Sequence, residues 1–190
     1  MTIIVGILMP IPVFSHSLKG AISDRDRVIK INPNDGLAVL GRGLAKLALG
    51  DNNGAIADFD RVLNTNQNDD LAVLCRGLAK SALGDNNGAI ADFDRAIKIN
   101  PNLAEAYMGR GLAKSALGVK QGAIADYDRA IKINPNLAAA YISRGTIKLE
   151  LGGKQGVIAD WSKAAELLRQ QGEMDLYQQV MEMIARLNKS

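Results

Sequence analysis

The charged residues best placed to act together are four arginines and four aspartates that recur at a fixed spacing along the chain. Opposite charges that recur with the same period predict a ladder of ion pairs, each between a guanidinium and a carboxylate that are partly shielded from water. The predicted members of the ladder are Arg42, Arg76, Arg110, Arg144, Asp58, Asp92, Asp126 and Asp160.

Residues for catalysis or metal binding do not converge anywhere in the sequence. His16 is the only histidine and Cys75 the only cysteine, so neither an intrachain disulfide nor a cysteine-based zinc set can form. The glycines around Arg42 have no preceding strand and lie inside a helical pattern, which excludes a phosphate-binding loop. We predict no catalytic residue, no metal ligand, no cofactor and no enzyme activity.

A repeat of 34 residues positions the ladder. The segment Gly43-Leu44-Ala45-Lys46 returns as Gly77-Leu78-Ala79-Lys80 and as Gly111-Leu112-Ala113-Lys114. Within residues 104–137, apolar residues at helical spacing predict a first helix that ends at Gly118 and a second helix that ends at Asn134-Pro135. We expect Asn136 to cap the next helix.

The period divides the chain into consecutive segments. The predicted segments are an apolar leader at 1–18, a half repeat with a second helix only at 19–35, full repeats at 36–69, 70–103, 104–137 and 138–171, and a C-terminal capping helix at 172–190. The last repeat lacks a closing proline, so we expect its second helix to be longer. For the capping helix we expect an apolar stripe of Met174, Tyr177, Val180, Met181, Ile184 and Leu187.

Small residues recur where paired helices must approach each other. We expect the glycines of the first helices to face Ala55, Ala89, Ala123 and Val157 of the second helices, because a bulky residue at either place would push the pair apart. Large aromatic residues beside these contacts should fill the core: Phe59, Phe93, Tyr127 and Trp161.

This pattern of small residues, aromatic residue and closing proline resembles the tetratricopeptide repeat over about residues 20–168. The resemblance implies an all-α solenoid, a right-handed superhelix of antiparallel helix pairs that binds peptides or proteins on its concave face. Val39 and Val73 stand where the family pattern has an aromatic residue. Later in the chain, Tyr107 and Tyr141 follow the family pattern at this position. We therefore expect looser packing near the N-terminus.

The resemblance also implies which residues line the groove. They are Leu37, Leu40, Leu44, Leu47, Leu71, Leu74, Leu78, Glu105, Met108, Leu112, Ile142, Thr146 and Leu149. Relatives that clamp the C-terminal carboxylates of heat-shock chaperones use Lys, Arg and Asn here. The matching places in this chain hold Leu40, Leu44, Cys75, Glu105 and Gly109, which disfavours that ligand.

The leading hypothesis for function is a non-catalytic scaffold that binds an apolar or amphipathic protein segment of unknown identity. An alternative is an RNA-binding helical repeat, but 23 basic residues are interleaved with 20 acidic ones and the net charge is only +3, so we expect no nucleic-acid partner. A third hypothesis is an accessory subunit of an enzyme complex. Self-association through the apolar face also stays open.

The leader allows two interpretations. Its apolar run and the small residues near Ser17 are compatible with a secretory signal peptide, although no Lys or Arg precedes the run. Alternatively, residues 1–17 are a degenerate start of the array that folds back as cover or stays loose. The run is short and interrupted by prolines, so we expect no membrane span. A cytoplasmic location is favoured unless residues 1–17 are a signal peptide.

Overall fold

The computed structural model describes residues 15–189, and this range consists of ten α-helices joined by short turns, without a β-strand. The helices are α1 (Ser15–Ile31), α2 (Gly36–Ala48), α3 (Asn52–Thr65), α4 (Asp70–Ala82), α5 (Asn86–Ile99), α6 (Ala104–Ala116), α7 (Lys120–Ile133), α8 (Ala138–Glu150), α9 (Lys154–Gln171) and α10 (Met174–Lys189). The prediction of an all-α repeat fold is confirmed.

The helices form two compact units, one that ends at Pro101 and one that begins at Asn102. In unit 1, each of the helices α1 to α4 packs against the next one along the chain. In unit 2, α6 to α9 do the same. Because the connecting turns are short, consecutive helices run antiparallel, as in a helical hairpin.

Glycines with positive φ end several helices. Gly118 follows the first helix of its repeat with φ of 77°, as the sequence predicts. Gly172 has φ of 79° and ends α9, which has 18 residues where α7 has 14, so the prediction of a longer last second helix is also confirmed. A residue with a Cβ atom would be strained in this left-handed conformation.

The expected capping role of Asn136 is wrong. The residue that caps α8 is Leu137, which makes no side-chain hydrogen bond to the helix. The backbone N–H of Asn136 instead donates to Oδ1 of Asn134 over 3.1 Å. The side chain of Asn134 thus stabilises the turn before α8, and neither asparagine side chain caps the helix.

The glycines of the first helices meet the aromatic rings of the second helices. A Cβ atom added to Gly43 would lie 2.8 Å from Cε1 of Phe59, and one added to Gly111 would lie 2.7 Å from Cε1 of Tyr127. The atoms nearest to the added Cβ belong to the ring, and at Gly43 also to Asp58, not to the alanines that we expected. Ala55 is fully buried and packs in a cluster with Leu47, Phe59, Cys75 and Ala79.

The positions that lack an aromatic residue are closed to water. Val39 and Val73 are among the largest fully buried side chains of the described chain. Looser packing near the N-terminus stays a prediction. A β-branched side chain fills the space with little loss of rotamer freedom, since few rotamers are open to it in a helix.

The C-terminal helix α10 packs against α9. Of its predicted apolar stripe only Val180 is buried, while Met174 and Met181 are exposed. None of the helices within residues 15–189 has the length and apolar character that a membrane span requires. Residues 1–14, which hold most of the predicted leader, lie outside the described residues.

Candidate binding surface

Each full repeat of unit 1 contains a buried carboxylate with two cationic partners. Asp58 of α3 accepts hydrogen bonds from Nε of Arg42, at 2.9 Å, and from its Nη2 atom. Lys46 of α2 places Nζ 2.8 Å from Oδ2 of the same carboxylate. In the next repeat Asp92 contacts Arg76 and Lys80 in the same way.

Unit 2 repeats this arrangement. Nε of Arg110 donates to Oδ2 of Asp126 over 3.0 Å, and Nζ of Lys114 lies 2.9 Å from the same oxygen. Asp160 is held by Arg144 and Lys148 at 2.9 and 2.8 Å. All eight residues of the predicted ladder thus lie in four arginine–aspartate pairs, each between the first and second helix of one repeat.

The arginines also reach the preceding helix. Nη1 of Arg42 donates to Asp26 over 2.7 Å, and Nη1 of Arg76 donates to Asp60 over 2.6 Å. In unit 2, Nη1 of Arg144 donates to Asp128 over 2.5 Å. One guanidinium therefore joins the two helices of its own repeat and also a helix of the repeat before it.

Sequence reasoning missed the lysines and the second set of aspartates in this network. A signal for both was present, because each lysine follows its arginine by four residues, about one helical turn, and each outer aspartate follows another aspartate by two residues. The missed residues are Lys46, Lys80, Lys114, Lys148, Asp26, Asp60 and Asp128.

In the first of these networks, contact with the opposite charge favours the charged forms of Asp58 and Arg42. Burial raises the pKa of the Asp58 carboxyl, but hydrogen bonds from Arg42 and Lys46 outweigh burial and hold the pKa below its usual value. The hydrogen bond to Asp58 in turn raises the pKa of Arg42 above its ordinary range. A buried carboxylate with both oxygens engaged by cations is well suited to fix the angle between helices.

The predicted groove residues of unit 1 differ in exposure along each first helix. Leu37 is 82% exposed and Leu71 41%, whereas Leu47 and Leu74 are buried. Between these extremes, Leu40, Leu44 and Leu78 are half-buried and pack against the core cluster formed by Leu47, Ala55, Phe59, Cys75 and Ala79. The accessible apolar surface of α2 and α4 is thus the outer part of Leu37, Leu40, Leu44, Leu71 and Leu78, hereafter the leucine face.

The corresponding residues of unit 2 are less uniform. Met108 and Ile142 are buried, and Leu112 is half-buried. Thr146 is also half-buried, and its hydroxyl donates to the backbone carbonyl of Ile142 over 2.9 Å. Glu105 and Leu149 are exposed. The face of α6 and α8 therefore combines one carboxylate and one hydroxyl with aliphatic side chains.

Comparison with known families identifies the repeat. A family profile described as "TPR repeat" matches residues 79–118, and a profile described as "Tetratricopeptide repeat" matches residues 104–137. Residues 79–137 therefore consist of tetratricopeptide repeats. The small residues, aromatic rings and prolines at a period of 34 are the tetratricopeptide repeat (TPR) pattern in this sequence.

Solved TPR structures have the same fold. The sequence of MamA, in its crystal structure, is 27% identical to this chain. The match covers 82% of this chain and 91% of the MamA chain, with a TM-score of 0.72. TTC0263, a thermophilic TPR protein in Thermus thermophilus, is 20% identical over 86% of this chain and 90% of its own, with a TM-score of 0.73. The first TPR domain of Spaghetti (RPAP3), solved with the HSP90 peptide SRMEEVD, is 24% identical in sequence. The match covers 62% of this chain and 93% of the RPAP3 domain, with a TM-score of 0.60.

No curated protein sequence matches this chain.

The one cysteine of the chain, Cys75, lies in the core cluster of unit 1, where burial raises the pKa of the thiol to about 12. A thiol with this pKa is a poor nucleophile at neutral pH, since the thiolate is the reactive form. Within residues 15–189, no group of three or more His, Cys, Asp or Glu side chains could hold a metal ion.

Proposed function

We propose that this TPR protein is a protein-interaction scaffold whose leucine face binds an apolar segment of a partner protein. The observation that carries the proposal is the partial exposure of Leu40, Leu44 and Leu78, which rest on a packed core and keep their outer surface accessible. Apolar anchors on a rigid helical scaffold bind with little loss of side-chain freedom.

The chemistry of the leucine face favours aliphatic or aromatic anchors over acidic ones. The peptide bound to the RPAP3 domain, SRMEEVD, contains three acidic residues. On the first helices of unit 1, Leu40, Leu44 and Cys75 carry no positive charge, and Arg42 and Lys46 are already engaged with Asp58. A partner that offered carboxylates here would lose hydration without gaining an ion pair.

We propose a scaffold rather than a catalyst because the ionisable groups of the core repeat with the structural period. The buried aspartates Asp58, Asp92, Asp126 and Asp160 each pair with an arginine and a lysine of their own repeat. The same pairing of opposite charges in four repeats is suited to hold helices together, whereas catalysis requires one site at which reactive groups converge.

A binding titration with defined probes tests the leucine face. The probe is a fluorescent amphipathic peptide that presents leucines on one helical face, and the reference is a peptide of equal charge with those leucines replaced by serine. We expect the full chain to bind only the first peptide, and Leu44→Glu with Leu78→Glu to weaken binding about tenfold or more, because two apolar contacts become charged.

The matched control is Leu83→Glu. Leu83 is exposed to a similar degree as Leu71, but it lies at the C-terminal end of α4 and outside the leucine face. The Leu83→Glu variant should bind the leucine peptide with an affinity within about twofold of that of the parent, since the substitution removes no contact of the proposed site. Equal loss in both variants, or no loss in either, would refute the assignment, and circular dichroism checks that each variant is folded.

A further inference from the structure

Helix α10 of unit 2 has fewer helical neighbours than the helix at the corresponding place one repeat earlier. Helix α8 packs against both α7 and α9, whereas α10, among the described helices, packs extensively against α9 alone. Six residues of α8 are buried, but Val180 is the only buried residue of α10. One side of α10 is therefore not covered by any described helix.

The apolar residues of α10 form two stripes. The inner stripe contains Val180 and its neighbours one turn away on the helix, so it is the stripe that packs against α9: Leu176, Val180, Met183 and Leu187. The outer stripe lies beside it on the helix surface: Met174, Tyr177, Met181 and Ile184. Met174 is 46% exposed and Met181 42%. The outer stripe thus keeps apolar surface in water although α10 is already packed on α9.

The spacing of the outer stripe predicts that its partner is another helix. Its members are three, four and three residues apart, which is the spacing of the a and d positions in a heptad. The residues that flank the stripe on its other side, Gln178 and Ala185, carry no charge. A second helix can therefore approach the outer stripe without removing a charged group from water.

The charges of α10 favour a second copy of the same helix. The first turn carries Asp175, and the last turn carries Arg186 and Lys189. In an antiparallel pair of α10 helices, the acidic start of each helix lies beside the basic end of the other, and the helix dipoles also oppose each other. A parallel pair would place like charges together at both ends. A two-fold axis supplies this complementarity twice from one sequence.

From these observations we propose that α10 pairs with α10 of a second copy of this chain, antiparallel and about a two-fold axis, through the outer stripe. The inner stripe stays on α9, so the pairing requires no change in the fold of unit 2. It uses no residue of the leucine face, so it does not depend on the proposed binding function. The pair removes Met174 and Met181 of both copies from water.

Sedimentation equilibrium of the full chain tests the apolar part of the proposal. We expect the average mass to rise with protein concentration from that of one chain toward that of two. The test variant combines Met174→Ser with Met181→Ser, and the control combines Leu117→Ser with Leu151→Ser. These leucines are 44% and 47% exposed and end α6 and α8, away from α10. Dimerisation should weaken about tenfold or more in the test variant and stay within about twofold of the parent in the control.

A second pair of variants tests the orientation. Arg186→Gln with Lys189→Gln should weaken dimerisation about fivefold at low salt, because the acidic start of the partner helix loses its counter-charges. The control, Lys132→Gln with Lys154→Gln, loses as much positive charge from exposed residues of α7 and α9 and should stay within about twofold of the parent. Tighter dimerisation of the first variant would contradict the antiparallel arrangement, since only a parallel pair gains from removing these charges.

Three further results would overturn the proposal. One is a full chain that sediments as a single copy at every concentration. Equal weakening in the two serine variants would show that the association is not specific to the outer stripe. A mass that grows beyond two copies would show that α10 contacts a different surface of the next chain, as in an open assembly. Circular dichroism checks that the serine variants are folded, and the glutamine variants test the pairing independently, since glutamine is a good helix former.

Discussion

Units 1 and 2 begin their helices in different ways. In unit 1, aspartate side chains accept hydrogen bonds from the first turn: Asp35 from Ala38, Asp51 from Gly54, Asp69 from Ala72 and Asp85 from Gly88, all at 2.9–3.0 Å. In unit 2, the capping residues of α6 to α9 make no side-chain hydrogen bond: Leu103, Val119, Leu137 and Gly153.

Unit 2 has a different local contact on its first helices. The guanidinium carbon of Arg110 lies 5.4 Å from the ring centre of Tyr107, and that of Arg144 lies 5.5 Å from Tyr141. Unit 1 has Val39 and Val73 at these positions, both fully buried. Both units contain the arginine–aspartate–lysine network and the glycine–ring contact, whereas the aspartate caps and the tyrosine–arginine contacts each occur in one unit only. We therefore expect the network to be a common requirement of the repeat.

Removing a buried carboxylate should have the largest effect and should be equal in the two units. Asp58→Ala removes the buried carboxylate that pairs with Arg42 and Lys46, and Asp126→Ala removes the one that pairs with Arg110 and Lys114. We expect each to lower the free energy of unfolding by about 3 kcal/mol, at the low end of the range for buried pairs because the cations keep some contact with water. Urea denaturation followed by circular dichroism measures the change.

The control for this experiment is Asp60→Ala. Asp60 pairs with Arg76 but is half exposed, so its loss should cost only about 0–1 kcal/mol. A large loss in one unit and a small loss in the other would contradict the view that the network is their common requirement.

The pH dependence isolates the charge of Asp58. Its folded-state pKa lies below the unfolded value of about 3.9, so its contribution to stability is complete above that pH and disappears as the pH falls through the folded-state pKa. The difference in unfolding free energy between the parent and Asp58→Asn should therefore be largest near neutral pH and shrink below about pH 4. A difference that stays constant down to about pH 2 would mean that packing, not charge, is responsible.

Adding a methyl group at the glycine–ring contact should destabilise both units moderately. Gly77→Ala places Cβ 2.9 Å from Cε1 of Phe93, and Gly111→Ala places it 2.7 Å from Cε1 of Tyr127. The strain of about 1–3 kcal/mol should exceed the helix-propensity gain of about 1 kcal/mol, for a net loss of about 1 kcal/mol in either unit.

The matched glycine is Gly20 of α1, which has no atom within 4 Å of an added Cβ. Gly20→Ala should raise the free energy of unfolding by about 1 kcal/mol, since only the propensity gain applies. Thermal unfolding of the three alanine variants gives the comparison, and a stabilised Gly77→Ala would show that the ring can move away without loss.

Exchanging the caps should have the smallest effect, with opposite signs in the two units. Val119 has backbone angles close to those of Asp85 and is half exposed, so Val119→Asp should stabilise unit 2 by about 0.5–1 kcal/mol. Asp85→Val should destabilise unit 1 by about as much, because the Gly88 N–H loses its acceptor. Urea titrations of both variants check this, and two changes of the same sign would exclude capping as the cause.

The sequence by itself determined the repeat, the helix pairs and the family, because a period of 34 with glycine, aromatic residue and proline at fixed places leaves few other ways to bury the apolar residues. It also indicated which arginines and aspartates belong together. Lysines such as Lys46 were missed because a charged residue on a helix surface looks the same in sequence whether it reaches water or a buried carboxylate.

Only the tertiary structure decided how deeply each predicted groove residue lies. Leu37 and Leu47 are both leucines on α2, yet one is exposed and the other buried, because exposure depends on what the neighbouring helices cover. The same holds for Val28 and Val62, which are the same residue type one period apart. Periodicity specifies which face a residue occupies, and the packing of adjacent helices specifies how much of that face remains in contact with water.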